Sequence, residues 1–308
     1  MSVYNAYMSL SGAIDADVML DERMARRTSY RIGGPAALYV VVNTYPALKS
    51  LLEVLDREQV AWVVLGRGSN VLVSDEGYDG CVIRLGREFS RISFGEEDGE
   101  LDGTVVVGAG TLLSQLVSAA QGHGLSGLEA CVGIPGSVGG ALSMDAGPRH
   151  HWIGQRVSSV VTLKPGVGLT RHEGHEIEWG YRYSSIPADE IILEATLALD
   201  HSTPKAVAAA MEERMASRRK KQPIGLPTCG SVFRNPPQGA AGAMIEAAGL
   251  KGFSVGRAQV SETHANFVEN HGGATAVDVI SVIHRMHDEV LAREGVDLVP
   301  EVKFLGFA

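Results

Sequence analysis

An α+β fold assembled in more than one part is what this chain predicts, on three observations. Strand-like and helix-like segments alternate from Tyr30 onward, two turns dense in glycine interrupt strand-rich text, and the composition shifts near residue 201. A parallel, doubly wound sheet is not indicated, because the stretch after Gly66 continues as a strand where a dinucleotide fold would start a helix.

The elements follow in order. Residues 1–20 show no matching pattern and are expected as an N-terminal extension with partial disorder. Leu38 to Val42 reads as a strand, Tyr45 to Glu58 as a helix with Pro46 in its first turn, and Val60 to Leu65 as the next strand. After Gly66 to Asn70 the run Val71 to Val73 is again β-rich, giving a strand, a tight turn and a strand. A second α+β unit opens with a strand inside Gly103 to Gly110 and a helix from Thr111 to Gly122. Val157 to Leu163, His175 to Trp179 and Ile191 to Leu199 read as strands of an antiparallel sheet. Thr203 caps, and Pro204 opens, a helix that Pro223 stops. Beyond it come a helix near Ala240 to Ala248, a strand around His264 to Val268, a long helix from Thr275 to Arg293 and a last strand from Val299 to Leu305. The domains expected are 1–20 (extension), 21–200 in two parts (about 21–95 and 96–200), and 201–308.

With 308 residues the chain can bury roughly 75% of its unfolded surface, enough for a core without disulfides. Apolar residues at 45%, charged residues at 20% and 37 glycines describe a turn-rich globular protein. No apolar run reaches the ~18 residues that span a bilayer, so no membrane partner is expected. The formal charge of −9 argues against nucleic acid as a partner. Cys81, Cys131 and Cys229 form neither a disulfide framework nor a metal pair, and with no secretory leader they point to the cytoplasm.

Three stretches carry chemistry. Thr228 to Pro236 places a hydroxyl (Ser231), a guanidinium (Arg234) and a carboxamide (Asn235) behind Gly230, a composition that suits an anionic ligand or an ordinary turn. Gly66-Arg67-Gly68-Ser69-Asn70, flanked by Leu65 and Val71, offers small residues and side-chain donors for a pyrophosphate nest, or simply a hairpin turn. Gly133-Ile134-Pro135-Gly136-Ser137-Val138-Gly139-Gly140 has more glycine than a turn needs, which means backbone held close to something flat or charged, or tight packing between two parts of the fold. Arg214, Arg218 and Lys221 share one face of the helix before Pro223, a basic stripe or a solvated one. His172 and His175 have the wrong spacing for a zincin helix, so no metal is expected.

Taken together, Ser29-Tyr-Arg-Ile-Gly-Gly-Pro-Ala36, Leu65 to Leu72, Gly127-Leu-Glu129 with Gly133 to Ala141, Tyr181-Arg-Tyr-Ser184, Gly230 to Pro236, Ala248-Gly-Leu-Lys-Gly252, His264-Ala-Asn-Phe267 and Pro300-Glu-Val302 resemble the UDP-N-acetylenolpyruvoylglucosamine reductase family, in the family's order. The resemblance implies a two-part FAD-binding domain of the vanillyl-alcohol-oxidase type and a C-terminal α+β domain for a UDP-sugar. It implies FAD and NADPH as cofactors and a cytoplasmic, monomeric enzyme of the shorter type, since Leu199 runs almost directly into the Pro204 helix.

Residue by residue, the resemblance places catalysis on Arg182, Ser231 and Glu301, and the flavin on Leu65, Gly66, Arg67, Gly68, Ser69, Asn70, Val71, Gly133, Ile134, Pro135, Gly136, Ser137, Gly139 and Gly140. Lys221, Arg234, Asn235 and Tyr181 are the substrate-binding candidates. Reduction of an enolpyruvyl ether needs hydride at one alkene carbon, a proton at the other, and a partner for the enolate charge. Ser231 supplies the proton, and Arg182 with a protonated Glu301 holds the charge. Asp145 departs from the family's Met-Asn-Ala-Gly pattern. The rival readings are another FAD oxidoreductase of the same fold acting on a hydroxy acid or lactone, and a nucleotide-binding protein without catalysis.

Overall fold

The computed structural model describes residues 2–96, 99, 102–148 and 150–307. In chain order its first elements are α1 (Val3–Leu10), β1 (Ala16–Arg23), β2 (Pro35–Val42), α2 (Tyr45–Arg57), β3 (Trp62–Val64), β4 (Val71–Val73) and β5 (Tyr78–Leu85). Next come β6 (Ile92–Phe94), β7 (Thr104–Gly108), α3 (Leu113–Gly122), β8 (Leu125–Ser126), α4 (Val138–Ser143), β9 (Val157–Lys164) and β10 (Gly168–Glu173). They continue with β11 (Trp179–Gly180), β12 (Tyr183–Ser184), β13 (Ile191–Ala198), β14 (Asp200–His201) and α5 (Pro204–Lys221). The last are α6 (Ala241–Ala247), β15 (Ser254–Val255), β16 (Ala258–Val260), β17 (Val268–Asn270), α7 (Ala276–Glu294) and β18 (Lys303–Leu305).

The chain forms two compact units, one of residues 1–19, 39–66 and 81–218, the other of 20–38, 67–80 and 219–308. The first contains a five-stranded antiparallel sheet in the order β10-β9-β13-β7-β6. Val105, Val107, Val160, Ala195 and Leu197 turn one face of that sheet into a core closed by Leu113, Leu116 and Val117 of α3 and Val138, Ala141 and Leu142 of α4. The alternation of inward β-branched residues with outward polar ones is what makes these segments strands. In the same unit α2 starts where Thr44 accepts the amide of Ala47, and it buries Leu48, Leu51, Leu52 and Leu55, an i, i+3, i+4, i+7 stripe.

The second unit is centred on α7. Thr275 and Asp278 form a reciprocal capping box, and Gly295 ends the helix in the left-handed region at φ 66°. Its stripe Val279, Val282, Ile283, Met286 and Val290 packs with Tyr30, Leu72, Val232, Phe233 and Ile245. Asp75 also accepts the amides of Ala276 and Val277, neutralising the orphan donors of the first turn.

Several expectations change. Residues 3–10, expected within a partly disordered extension, are a helix whose Ala6 and Leu10 are fully buried. The strands on either side of Gly66–Asn70 do not make a hairpin: β3 pairs in parallel with β5, and β4 in parallel with β18. His175 to Glu178 is not a strand and only Trp179 of the expected segment joins one, the short β11, because Glu176 folds back onto the carbonyl of Glu173 and Gly174 bonds to Ser158, so β10 takes the place beside β9. Around residue 264, Ser261 Oγ accepts the amides of Thr263 and His264 and holds a turn, which delays the strand to Val268. Likewise the final strand is confined to Lys303–Leu305. The membrane expectation concerns helices, and among the described residues no helix is long and apolar enough to cross a bilayer.

Candidate active site

In the first unit Gly66, the first residue of one glycine-rich turn, lies against Ser137 of the other. A Cβ added to Gly66 would overlap Ser137 Oγ, so only glycine allows this approach. Ser137 is meanwhile the N-cap of α4, accepting the amide of Gly140 at 3.3 Å. The amides of Val138 and Gly139 donate to the carbonyls of Thr111 and Ala109 at 2.9 and 2.8 Å. The start of α4 is therefore satisfied by protein. Tight packing accounts for Gly139, whose added Cβ would sit 3.0 Å from that of Ala109, and for Gly133, whose Cβ would sit 2.8 Å from Met215 Cε and 3.2 Å from Arg218 Cδ. Gly133, Pro135 and Gly140 leave an exposed backbone edge, with Ile134 and Gly136 half-buried behind it.

Arg182 occupies the turn between β11 and β12. It has φ 58°, a strained region for a residue with a side chain. Its Nη1 donates to the carbonyl of Gly147 at 3.1 Å, and its guanidinium lies 5.3 Å from the centre of the exposed Tyr181 ring. Ser184 fastens the same hairpin to the end of α4 through a 3.3 Å bond to the carbonyl of Ser143.

The basic stripe of α5 is divided by the fold. Arg214 lines a cavity of about 200 Å³ with Gly127, Glu129, Cys131, Trp152 and Arg156. Arg218 is half-buried against Gly133, and burial, then the nearby charge of Arg182, pull its guanidinium below its ordinary pKa. Lys221 closes the helix and is exposed.

In the second unit three segments converge on Ser231. The amide of Glu301 donates to the carbonyl of Val232 at 2.7 Å, and Ser231 and Phe233 bridge to Phe267 and Pro300. Ser231 is half-buried and Glu301 buried, and the Glu301 backbone lies against Val232, the residue after Ser231, although seventy residues separate Ser231 from Glu301 in sequence. Asn70 Nδ2 donates to the carbonyl of Glu301 at 3.1 Å, which brings the 67–70 turn to the same place. Arg234 is half-buried and its amide donates to the carbonyl of Val299. Asn235 is exposed, and its Oδ1 accepts the amide of Ala241 at 3.0 Å, serving the start of α6.

Sequence reasoning gave Asn266 no role, yet it organises this site. Buried to 2% exposure, it accepts the amide of Phe233 at 3.0 Å and donates to the carbonyl of Phe233 at 2.8 Å. An asparagine between apolar residues in Ala265-Asn266-Phe267 was the available signal, since a buried carboxamide must be bonded. Cys229 lies in the same core with its thiol pushed up to about 12 by burial, so it is not a thiolate.

Two stretches, each taken by itself, suit part of a flavin dinucleotide. Gly68 has φ 58°, and the amides of Arg67 and Gly68 donate to no acceptor among the described residues, which leaves a nest for a pyrophosphate. The exposed backbone at Gly133, Pro135 and Gly140 suits the approach of a flat ring. Among the described residues no group of three or more His, Cys, Asp or Glu is placed to hold a metal ion.

Comparison with known proteins adds two domain matches. Residues 36–165 match an FAD binding domain, and residues 222–305 match the C-terminal domain of UDP-N-acetylenolpyruvoylglucosamine reductase. The chain is 41% identical over 291 residues to the UDP-N-acetylenolpyruvoylglucosamine reductase of Heliobacterium modesticaldum, covering 94% of this chain and 90% of that one. It is 40% identical to that of Geobacter sulfurreducens, covering 96% and 97%. The crystal structure of the Thermus caldophilus enzyme superposes with a TM-score of 0.80 at 34% identity, covering 94% of this chain and 98% of that one.

Proposed function

The chain belongs to the UDP-N-acetylenolpyruvoylglucosamine reductase family, and from that membership we propose how its residues divide the work. It has the two-part FAD-binding domain of the vanillyl-alcohol-oxidase type and the family's C-terminal α+β domain. It is an oxidoreductase of peptidoglycan precursor synthesis, reducing the enolpyruvyl group of UDP-N-acetylglucosamine-enolpyruvate to give UDP-N-acetylmuramate with NADPH as the hydride source. FAD, when bound, supplies the hydride chemistry between NADPH and the alkene.

The proton at the other alkene carbon is assigned to Ser231 Oγ. The observation that supports this reading is the 2.7 Å bond from the amide of Glu301 to the carbonyl of Val232, which brings the Glu301 backbone against the residue that follows Ser231; a weakly acidic hydroxyl needs a neighbouring group to help it give up its proton. Glu301 steadies the enolate charge as a hydrogen-bond donor, and Arg182 meets the substrate carboxylate as a fixed cation. Leu65 to Val71 hold the pyrophosphate of the flavin, and Gly133 to Gly140 its ring. Tyr181, Lys221, Arg234 and Asn235 bind the UDP-sugar. On this division residues 21–200 are the flavin domain and 201–308 the substrate domain, in a monomeric cytoplasmic enzyme.

Purified protein should be yellow with FAD that acid precipitation releases, NADPH should bleach it, and UDP-N-acetylglucosamine-enolpyruvate should restore the colour. A flavin that stays in the pellet, or a bleached protein that the substrate leaves bleached, contradicts the reading. Lys221→Ala should raise the KM for the UDP-sugar roughly tenfold, the scale of one charge-assisted contact, with FAD content unchanged. Equal KM at low and moderate salt would make this end of α5 a solvated face.

A further inference from the structure

The cavity lined by Arg214 has no part in the reaction above. It lies within the first unit, holds about 200 Å³, and is walled by three stretches of chain, 126–131, 151–156 and α5. Two of its charged side chains are already engaged. Glu129 Oε2 accepts the amide of Gly127 at 2.8 Å, and Arg156 Nη1 pairs with Asp200 at 2.7 Å. The Arg156 guanidinium also covers Gly127, where an added Cβ would lie 2.6 Å from Nε, so only glycine allows the approach. These contacts set that side of the cavity without any ligand.

Arg214 differs from both. It is half-buried on α5, and its guanidinium has no ion pair or hydrogen bond among the described residues. A partly desolvated guanidinium with no acceptor is what a wall shows when its anion comes from outside the chain. Trp152 brings a half-buried indole to the same space, with no aromatic neighbour among the described residues. The deepest part of the cavity is neutral, because Cys131 is 2% exposed and burial pushes its thiol up to about 12.

Size and charge then select the ligand. An apolar cavity of about 150 Å³ holds benzene, so one of about 200 Å³ admits a six-membered ring and one further small group. Two guanidiniums against one carboxylate leave the walls a single positive charge in excess, which one carboxylate balances. A phosphate monoester carries about −1.5 to −2 at neutral pH and would set uncompensated charge against Glu129. We propose that this cavity is a binding site for a small planar monocarboxylic acid, its ring against Trp152 and its carboxylate on Arg214, independent of the UDP-sugar.

Benzoate is the probe, titrated into the FAD-bound enzyme. It should bind with a Kd on the order of 1 mM, the reach of about nine non-hydrogen atoms. Benzamide, its neutral isostere, should bind at least roughly tenfold more weakly, and Arg214→Gln should weaken benzoate by the same factor, the scale of one charge-assisted contact. Phenyl phosphate should bind less tightly than benzoate. The parent alone also reports the location, since the chain has 3 tryptophans, Trp62, Trp152 and Trp179, with separate indole N–H resonances. Benzoate should shift the resonance that Trp152→Leu removes and leave the other two in place. Neither saturating UDP-N-acetylmuramate nor Arg182→Gln should change the Kd. Absence of saturable binding, equal affinity for benzamide, tighter binding of phenyl phosphate, an unmoved Trp152 resonance, or displacement by UDP-N-acetylmuramate overturns the proposal. So does a folded Arg214→Gln variant with the parental Kd; should that variant fail to fold, the benzamide comparison and the Trp152 resonance decide.

Discussion

Ser231→Ala should bleach with NADPH at close to the parental rate and then stall, its reoxidation by the enolpyruvyl substrate slowed by roughly 10²–10⁴-fold, the usual contribution of a positioned general acid. The asymmetry follows from the chemistry assigned to the hydroxyl, which gives its proton to the alkene carbon and takes no part in the NADPH step. Loss of an interaction made in the transition state lowers kcat and kcat/KM together and leaves substrate affinity nearly intact. The local fold should tolerate the change, since Ser231 is held through its backbone pairing to Phe267 and its neighbour Val232 carries the bond to Glu301. Stopped-flow spectroscopy of each half-reaction gives the answer. A large loss in the NADPH step, or a substrate step at parental rate, removes Ser231 from the role of proton donor.

What the sequence disclosed follows the range of the forces involved. The longer helices α2, α5 and α7 were legible because their signals are local, though α1 and α4 were not: Thr44 and Pro46 start α2, Thr275 with Asp278 starts α7, and apolar residues at helical spacing mark their buried stripes. Pairing partners were not, because β4 finds its neighbour in β18, more than two hundred residues away, and nothing in Val71-Leu-Val73 names Lys303 to Leu305. The same limit applied to the site. Residue types and a family resemblance picked out Ser231 and Glu301, but the approach of their backbones depends on the Val232 carbonyl accepting the Glu301 amide. The basic stripe shows the opposite failure. Helical spacing correctly placed Arg214, Arg218 and Lys221 along α5, yet Arg218 is half-buried against Gly133 while Lys221 is exposed, because what a helix face meets is decided by the rest of the fold.

The second large effect belongs to Asn266. Asn266→Ala should lower the unfolding free energy by about 2–6 kcal/mol, because it strands both the amide and the carbonyl of Phe233 in the core at about 1–3 kcal/mol for each unmet group. Phe233 itself is 1% exposed, so water cannot replace the lost carboxamide. Since a domain holds only about 5–15 kcal/mol in reserve, the denaturant midpoint should fall markedly. Asn266→Asp gives a sharper version. Its carboxyl can still accept the Phe233 amide, but at neutral pH it sets an oxygen against the Phe233 carbonyl where Nδ2 donated at 2.8 Å. The fold then favours the protonated acid, which can donate, so the folded pKa lies above the unfolded one. Stability should be greatest at low pH and decline as pH rises through that folded value, beyond any change in the parent. In both variants the strand carrying Ser231 loosens, and reoxidation by the substrate should slow more than reduction by NADPH. Urea midpoints for parent, alanine and aspartate variants between pH 5 and 8 decide the matter: an alanine variant within about 0.5 kcal/mol of the parent, the range of an ordinary surface change, would mean that Asn266 does not hold this strand.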